Sequence, residues 1–275
     1  AGQTSLNSRD QRMHVATFSL ILGFLVTVSA FAANPLAGTV KFSNCSGFLF
    51  TVEGRTPQKN ALVMTNGHCL DPWGLSMLAP NEVRMNRSAS RDITLVGESR
   101  RVKVTTRRLL YATMTLTDMA IYELPQTYEY LQTRYGITPL MLAQQGPSNG
   151  TPVVVASAYK NRAFTCQIEE VLHGLREGGR SFSDSLRFNA GCNTKNGTSG
   201  SPVVLPDGVT VVAINNTRNN NGKMCGNNNP CEVRSDGTTT VLRNRSYGQQ
   251  TSLIYECLNS EMDLDLNVET CRLPK

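Results

Sequence analysis

Aromatic residues are scarce in this sequence: they make up 7% of its 275 residues, and Trp73 is the only tryptophan. This composition gives no indication of an aromatic-rich binding surface. Charged residues are also few, at 17%, and the 22 glycines and 12 prolines follow no collagen-like period. The 40% of apolar residues indicates a globular chain of one large or two ordinary domains, which excludes a fibre or a disordered protein.

The basic residues are dispersed, although the chain carries a net charge of +6. Their densest group lies between Arg100 and Arg108, where Val102 and Val104 are interleaved with the charges. This pattern favours the solvated face of a strand over a track for phosphate groups. We therefore expect no nucleic-acid partner.

The only long apolar run begins at Val15 and ends in a small-residue pattern that includes Ala30 and Ala32. A basic flank, an apolar stretch and such an end are typical of a secretory signal peptide. A run of this length could also anchor the chain in a bilayer, but no basic stop-transfer segment follows it. We expect an upstream extension at 1–12 and a signal peptide at 13–32. Cleavage after Ala32 then gives a secreted protein, extracellular or periplasmic, with no stable membrane association.

All eight cysteines follow this signal. In an oxidising compartment an even number of cysteines indicates disulfides, here four. A zinc site is the alternative, but the sequence contains no C-x-x-C pair, and His173 lacks the spacing of a zinc finger. The spacing of the cysteines alone does not choose their pairing. They are Cys45, Cys69, Cys166, Cys192, Cys225, Cys231, Cys257 and Cys271.

Short runs rich in β-branched and apolar residues recur along the chain, separated by Gly, Asn, Pro and Ser. The first set occupies 39–42, 47–52, 61–65, 92–96, 102–110 and 119–124, and the second 153–158, 164–172, 185–189, 203–205, 209–215, 238–242 and 252–255. Repeated short strands predict an all-β sandwich or barrel. A polar connector at 126–150, with one or two helical turns near 128–134, places a boundary near Gly146.

Three segments carry residues that can do chemistry. His68 stands where a buried apolar strand runs into a small-residue turn, whereas His173 is typical of an exposed strand end. Ser199 lies between Gly197 and Gly200, and such a turn can expose a hydroxyl while backbone N–H groups converge on one point. Asp118 enters an alternating apolar strand, where a lone aspartate is usually a turn or strand-start residue.

Together, the His-Cys, Thr-Asp-x-Ala and Gly-x-Ser-Gly-Ser-Pro segments resemble those of the secreted bacterial chymotrypsin-like (trypsin-fold) serine peptidases. Asp118 follows His68 by 50 residues and precedes Ser199 by 81, which is the chain order of that family. The resemblance covers about 37–258 of this chain. It implies an all-β fold of two six-stranded antiparallel β-barrels with the active site in the cleft between them. The predicted domains are 34–145, 146–258 and a tail at 259–275.

The resemblance implies a role for each matched residue: Ser199 is the nucleophile, His68 the general base and then acid, and Asp118 the carboxylate that orients His68. The backbone N–H groups of Gly197 and Ser199 form the oxyanion hole. The implied function is a secreted, monomeric serine endopeptidase that cleaves proteins or peptides through an acyl-enzyme, with no metal or cofactor. The alternative is a catalytically silent extracellular binding protein on a peptidase fold. A missing triad residue would favour that alternative, and none is missing.

The resemblance also implies two disulfides, Cys45–Cys69 and Cys166–Cys192. Cys225–Cys231 and Cys257–Cys271 then remain as local closures of a loop and of the tail.

The implied substrate-binding positions differ from those of trypsin. They are Asn193, Thr194, Asn215, Asn216, Thr217 and Arg218. Asn193 stands where trypsin-like members carry an aspartate, so cleavage after Arg or Lys is not expected. Glutamate-specific bacterial members carry a histidine where Asn215 stands, which speaks against that specificity, although Arg218 could meet an acidic group. We expect cleavage after apolar or small polar residues. Thr198 replaces the aspartate that receives a new N-terminus in animal members, so activation by N-terminal insertion is not expected.

Overall fold

The structure is a computed structural model, and it describes residues 1–2, 34–71 and 77–275. The predicted signal peptide at 13–32 lies outside the described residues, as does nearly all of the predicted extension at 1–12. No helix in the described part of the chain is long and apolar enough to cross a membrane.

The described chain is mostly β, which confirms the predicted fold class. The strands of its first half are β1 Thr39–Lys41, β2 Ser46–Thr51, β3 Asn60–Thr65, β4 Val83–Ser88, β5 Asp92–Val96, β6 Arg101–Thr105, β7 Arg108–Thr113 and β8 Met119–Thr127. Antiparallel pairing runs in the order β6, β5, β1, β2, β3, β8, β7, β4. A short 3-10 helix, Gly67–Cys69, follows β3.

The segment 102–110, which the sequence predicts as a single strand, bends between β6 and β7 and forms parts of both strands. The backbone N–H of Thr106 donates to Arg91 O, and that of Arg107 donates to Glu123 O, each at 2.9 Å. The chain therefore leaves its partner β5 at the end of β6 and pairs with β8 as β7. β5 also pairs with β1, at the other end of the strand order from β7. The continuous, bent β6–β7 segment therefore links the two ends of this order.

A helix and a short strand connect the two halves. The helix α1, Tyr128–Tyr135, lies at the predicted turns, and the Thr127 side chain accepts from the backbone N–H of Tyr130 at its start. Strand β9, Leu140–Leu142, then pairs in parallel with β2 of the first half and with β16, Thr210–Arg218, of the second half. The predicted boundary near Gly146 falls in the segment after β9.

The strands of the second half are β10 Pro152–Ser157, β11 Arg162–Val171, β12 Gly174–Glu177, β13 Arg180–Ser183, β14 Leu186–Phe188, β15 Pro202–Val204, β16 Thr210–Arg218, β17 Cys231–Val233, β18 Thr239–Thr240 and β19 Ser246–Gln250. Six of them form a closed antiparallel barrel in the order β15, β10, β11, β14, β19, β16. A separate four-stranded sheet consists of β12, β13, β17 and β18.

The end of the barrel differs from the sequence prediction. The apolar run at 252–255 lies in a 3-10 helix, Ser252–Cys257, because short apolar runs fit a helix or a strand equally well. The preceding strand β19 has little apolar alternation, yet it pairs with both β14 and β16. At its centre a Cβ on Gly248 would press against the Phe188 ring and Ile214 O, so only glycine fits this close pairing.

Four disulfides join the cysteines in the pairs Cys45–Cys69, Cys166–Cys192, Cys225–Cys231 and Cys257–Cys271. The first pair closes a sequence separation of 24 residues and is expected to stabilise the fold by about 3 kcal/mol, by restricting the unfolded chain. It ties the 3-10 helix Gly67–Cys69 to the segment that joins β1 and β2.

The C-terminal tail returns to the first half of the chain. Leu266 and Leu273 are buried in a cluster that includes Phe48 of β2 and Tyr111 of β7. The Tyr111 hydroxyl also donates to the backbone oxygen of Pro274 at 3.1 Å. The tail is therefore part of the core that covers β2 and β7.

Candidate active site

His68 lies in the 3-10 helix at the end of β3, and its backbone is fixed on two sides. The disulfide at Cys69 holds the turn from one side. On the other, a Cβ on Gly67 would collide with the backbone oxygen of Thr113, so the turn packs tightly against the end of β7. This close approach explains why glycine precedes the histidine.

Asp118 is 1% exposed and lies just before β8. Its Oδ2 is 2.7 Å from His68 Nδ1, and its Oδ1 accepts the backbone N–H of His68 at 3.1 Å. The Asn66 side-chain amide donates to the backbone oxygen of Asp118 at 2.7 Å. The carboxylate therefore fixes the His68 ring with Nδ1–H as its donor and leaves Nε2 without this bond.

The charges around His68 determine its protonation. Burial would lower its pKa, but the charge and hydrogen bond of Asp118, together with the charge of Glu177, outweigh burial and the opposing charge of Arg180. The pKa of His68 is therefore raised. Burial has the opposite effect on an acid, and it raises the pKa of Glu177. Hydrogen bonds from Thr217 and Asn228 to the Glu177 carboxylate lower this pKa but do not offset burial.

We expect an NMR titration of His68 to have its midpoint above that of an ordinary histidine, because the carboxylates favour the imidazolium. The substitution Glu177→Gln removes one of these charges and should move the midpoint to lower pH. The exposed Glu129→Gln variant is the matched control and should leave it unchanged. A midpoint at or below the ordinary histidine value would show that burial outweighs the carboxylates.

Ser199 lies in a tight turn that needs glycine on both sides. Gly197 and Gly200 have φ angles of +89° and +80°, which favour glycine. A Cβ on Gly200 would also collide with Ser46 O and the Thr65 hydroxyl, so the turn packs directly against β2 and β3. Ser199 is thereby held in the second half of the chain at a contact with the first.

The residue before the serine is held by neutral groups. Thr198 is 2% exposed; its hydroxyl donates to Lys195 O at 2.6 Å, and its oxygens accept from the Asn215 amide at 3.1 Å. The buried Asn215 side chain therefore fixes the turn at Thr198. These bonds fix the turn without a charged partner at Thr198.

The Ser199 hydroxyl donates to the backbone oxygen of Asn216 at 3.1 Å. Within the described residues, no hydrogen bond joins it to His68. The backbone N–H groups of Gly197 and Ser199 also have no acceptor among the described residues, so both remain available to a ligand. A change of χ1 at Ser199 to another staggered rotamer would redirect the hydroxyl.

A cavity of about 70 Å³ brings the predicted site residues together. Its lining includes His68, Asp118, Ser199, Thr194, Asn215, Asn216, Thr217 and Arg218. Asn193 is exposed and lies outside this lining. His173 is exposed as well, as its sequence context predicts.

The same cavity is also lined by Glu177 and Arg180, which no sequence motif indicates. Glu177 Oε1 accepts from the Thr217 hydroxyl at 2.9 Å and from the backbone N–H of Asn228 at 2.7 Å. The Arg180 guanidinium donates to Leu78 O at 2.6 and 3.0 Å. The two residues flank the β12–β13 turn, whose position over the site depends on tertiary packing rather than on a local sequence signal.

Three potential metal-ligand atoms lie within 4.8 Å of one another: the sulfurs of Cys45 and Cys69 and a ring nitrogen of His68. The two sulfurs are joined in a disulfide, so neither is the thiolate that metal binding needs. The histidine nitrogen Nδ1 is engaged by Asp118. This cluster is therefore better explained as a structural support for His68 than as a metal site.

The model of the trypsin-like peptidase domain family matches residues 45–214. This is more than half of the chain, and the protein belongs to that family. A comparison with curated protein sequences finds no significant match.

Several solved protease structures resemble the chain at low identity. The MamO protease domain from Magnetospirillum magneticum is 12% identical, with 82% of this chain and 98% of that chain covered, at a TM-score of 0.49. Protease A of Thermobifida fusca is 12% identical, with coverage of 78% and 90% and a TM-score of 0.42. The thermostable serine protease AL20 from an extremophilic microorganism is 17% identical, with coverage of 79% and 91% and a TM-score of 0.42. The family assignment rests on the matched domain alone.

Proposed function

We propose that this protein is a serine endopeptidase that hydrolyses peptide bonds through Ser199, His68 and Asp118. The observation that carries the proposal is the 2.7 Å contact between His68 Nδ1 and the buried Asp118 carboxylate, in a cavity that Ser199 also lines. A serine hydroxyl is a weak nucleophile at neutral pH and needs an adjacent base of this kind.

In this mechanism His68 Nε2 takes the Ser199 proton as Oγ attacks the substrate carbonyl. Asp118 stabilises the imidazolium, which then gives the proton to the leaving amine. The N–H groups of Gly197 and Ser199 bind the oxyanion, since both lack an acceptor among the described residues. Water then hydrolyses the acyl-enzyme by the same proton route.

The orientation of the Ser199 hydroxyl favours a second candidate, a catalytically silent binding protein on a peptidase fold. The hydroxyl donates to Asn216 O, and in an active enzyme it has to leave this acceptor to reach His68. In a binding protein the hydroxyl would keep this bond. The two candidates therefore differ in the reactivity of Ser199 Oγ, which is nucleophilic in the peptidase and unreactive in the binding protein.

A serine-directed phosphonylating reagent separates the two candidates. We expect one covalent addition per chain, located on Ser199 by peptide mass spectrometry, with parallel loss of casein hydrolysis. The His68→Ala variant and the denatured protein are the controls, and neither should react, because activation needs the folded histidine site. A folded wild-type protein that stays unlabelled and does not cleave casein would support the binding protein instead.

The proposal also includes the setting in which the enzyme works. Four disulfides fit an oxidising compartment, so we place the protein in the periplasm or outside the cell, acting as a monomer on protein or peptide substrates. Intact-mass measurement of the protein isolated from its native compartment would show whether the chain has been cleaved after Ala32.

A further inference from the structure

We propose that a cationic pocket beside Ser199 selects substrates with an aspartate or glutamate immediately before the scissile bond. This inference rests on the proposed peptidase function and names the substrate class for it. The cationic pocket is a cavity of about 430 Å³ with three positively charged lining residues, Lys160, Lys195 and Arg218. Its remaining lining residues are neutral and polar, and none is a carboxylate.

The cationic pocket adjoins the cavity that Ser199 lines, because the two cavities share four lining residues. Both cavities are lined by Thr194, Lys195, Asn196 and Arg218. Asn196 is three residues before Ser199 and adjoins Gly197, whose N–H is assigned to the oxyanion. A substrate carbonyl held at Gly197 and Ser199 would therefore lie beside the segment 194–196, which lines this pocket.

Arg218 is held across the pocket by neutral acceptors only. Its Nη1 donates to Asn193 Oδ1 at 3.0 Å and to Thr194 O at 3.1 Å, and its Nη2 donates to Asn244 Oδ1 at 3.3 Å. A guanidinium has five N–H donors. Nε–H and one Nη2–H of Arg218 thus have no acceptor among the described residues, and together they can bind a carboxylate.

The positive charge of the pocket is not compensated. Within the described chain, Lys160, Lys195 and Arg218 form no ion pair with a carboxylate. Lys195 Nζ donates to Asn193 Oδ1 at 2.8 Å, so one neutral oxygen serves both this ammonium and Arg218. Burial lowers the pKa of Arg218, and no neighbouring acid offsets the effect. A carboxylate from a ligand would satisfy cations that the protein itself leaves unpaired.

This charge distribution changes the specificity expected from the sequence. An apolar side chain in the pocket would remove water from three cations without providing an acceptor, and a basic one would be repelled. The buried Asn215 amide is bonded to Thr198, so this position does not supply the acid-binding group. Arg218 is therefore the specificity-determining residue, with Lys195 and Lys160 at the sides of the pocket.

The test uses chromogenic peptides that differ only in the residue before the scissile bond: Glu, Asp, Gln, Leu or Lys. We expect kcat/KM for Glu to exceed that for its neutral isostere Gln by about 10- to 100-fold, the effect of hydrogen bonds to a charged group. The preference should decrease at high salt because the pocket is open to solvent.

Two substitutions locate the source of the preference. In Arg218→Gln the ratio of Glu to Gln turnover should fall close to one, and in Lys195→Gln it should fall by a smaller factor. Arg234→Gln removes an exposed cation elsewhere and should leave the ratio unchanged. The Lys195 variant and the salt dependence keep the test decisive if Arg218→Gln fails to fold.

The outcomes separate this inference from the proposed function. Equal turnover of Glu and Gln peptides, preference for Leu or Lys, or a ratio that survives Arg218→Gln would overturn the pocket assignment while leaving a peptidase. Phosphonate labelling without hydrolysis of the Glu peptide would overturn it as well. Absence of both labelling and hydrolysis would overturn the proposed function, and the specificity with it.

Discussion

Replacement of Ser199 by alanine is expected to lower kcat for peptide hydrolysis by a factor on the order of 10⁶. The loss is large because the covalent route needs the serine oxygen as its nucleophile, and alanine has no side-chain oxygen. The proposed oxyanion donors at Gly197 and Ser199 belong to the backbone and survive the substitution. The variant should therefore retain only the slow hydrolysis that binding and these donors support.

Burst and steady-state kinetics with a chromogenic ester and a peptide measure the effect of Ser199→Ala. The exposed Ser148→Ala variant is the matched control and should keep wild-type kinetics. Circular dichroism of both variants should match the wild type, since loss of the Ser199 hydroxyl removes only its bond to Asn216 O. Turnover of Ser199→Ala within tenfold of wild type would exclude Ser199 as the nucleophile.

The substitution Asp118→Asn is expected to lower kcat by about 10⁴-fold at neutral pH. An asparagine side chain can present an N–H to the imidazole, which favours the tautomer with the proton on Nε2, the wrong nitrogen to accept the Ser199 proton. The buried position of Asp118 leaves the substituted side chain little freedom to avoid this arrangement.

The pH profile of kcat and the ¹⁵N shifts of His68 measure the effect of Asp118→Asn. Both should change in this variant, and the exposed Asp236→Asn control should match the wild type. If kcat for Asp118→Asn stays within tenfold of wild type, another acid orients His68, and the half-buried Glu177 in the same cavity is the next candidate.

The sequence predicted the parts of the site that depend on local structure. His68 follows an apolar strand, and Ser199 lies in a turn whose glycines adopt φ angles that favour that residue. A continuous apolar run likewise predicted β3, and alternating apolar residues predicted β8. The strand β19 was missed because its pairing, rather than its own apolar content, makes it a strand.

The surroundings of the site were less predictable because they depend on contacts between distant segments. Glu177 reaches the cavity only because the β12–β13 hairpin folds over it, and nothing near Glu177 in the sequence indicates this. Arg218 was identified as a pocket residue, but its bonds to Asn193 and Asn244 connect three separate segments. These contacts place Arg218 among neutral acceptors in a pocket without a carboxylate, which the sequence alone does not indicate.

The attachment of the C-terminal tail to β2 and β7 has a consequence for how the chain is assembled. Leu266 and Leu273 complete the packing around Phe48, yet more than 200 residues separate them from it in the sequence. Ribosomal synthesis proceeds from the N-terminus, so the first half emerges long before the segment that covers it. The apolar surface around Phe48 stays uncovered until the segment that contains Leu266 and Leu273 has been synthesised, so the first half does not complete its native packing by itself.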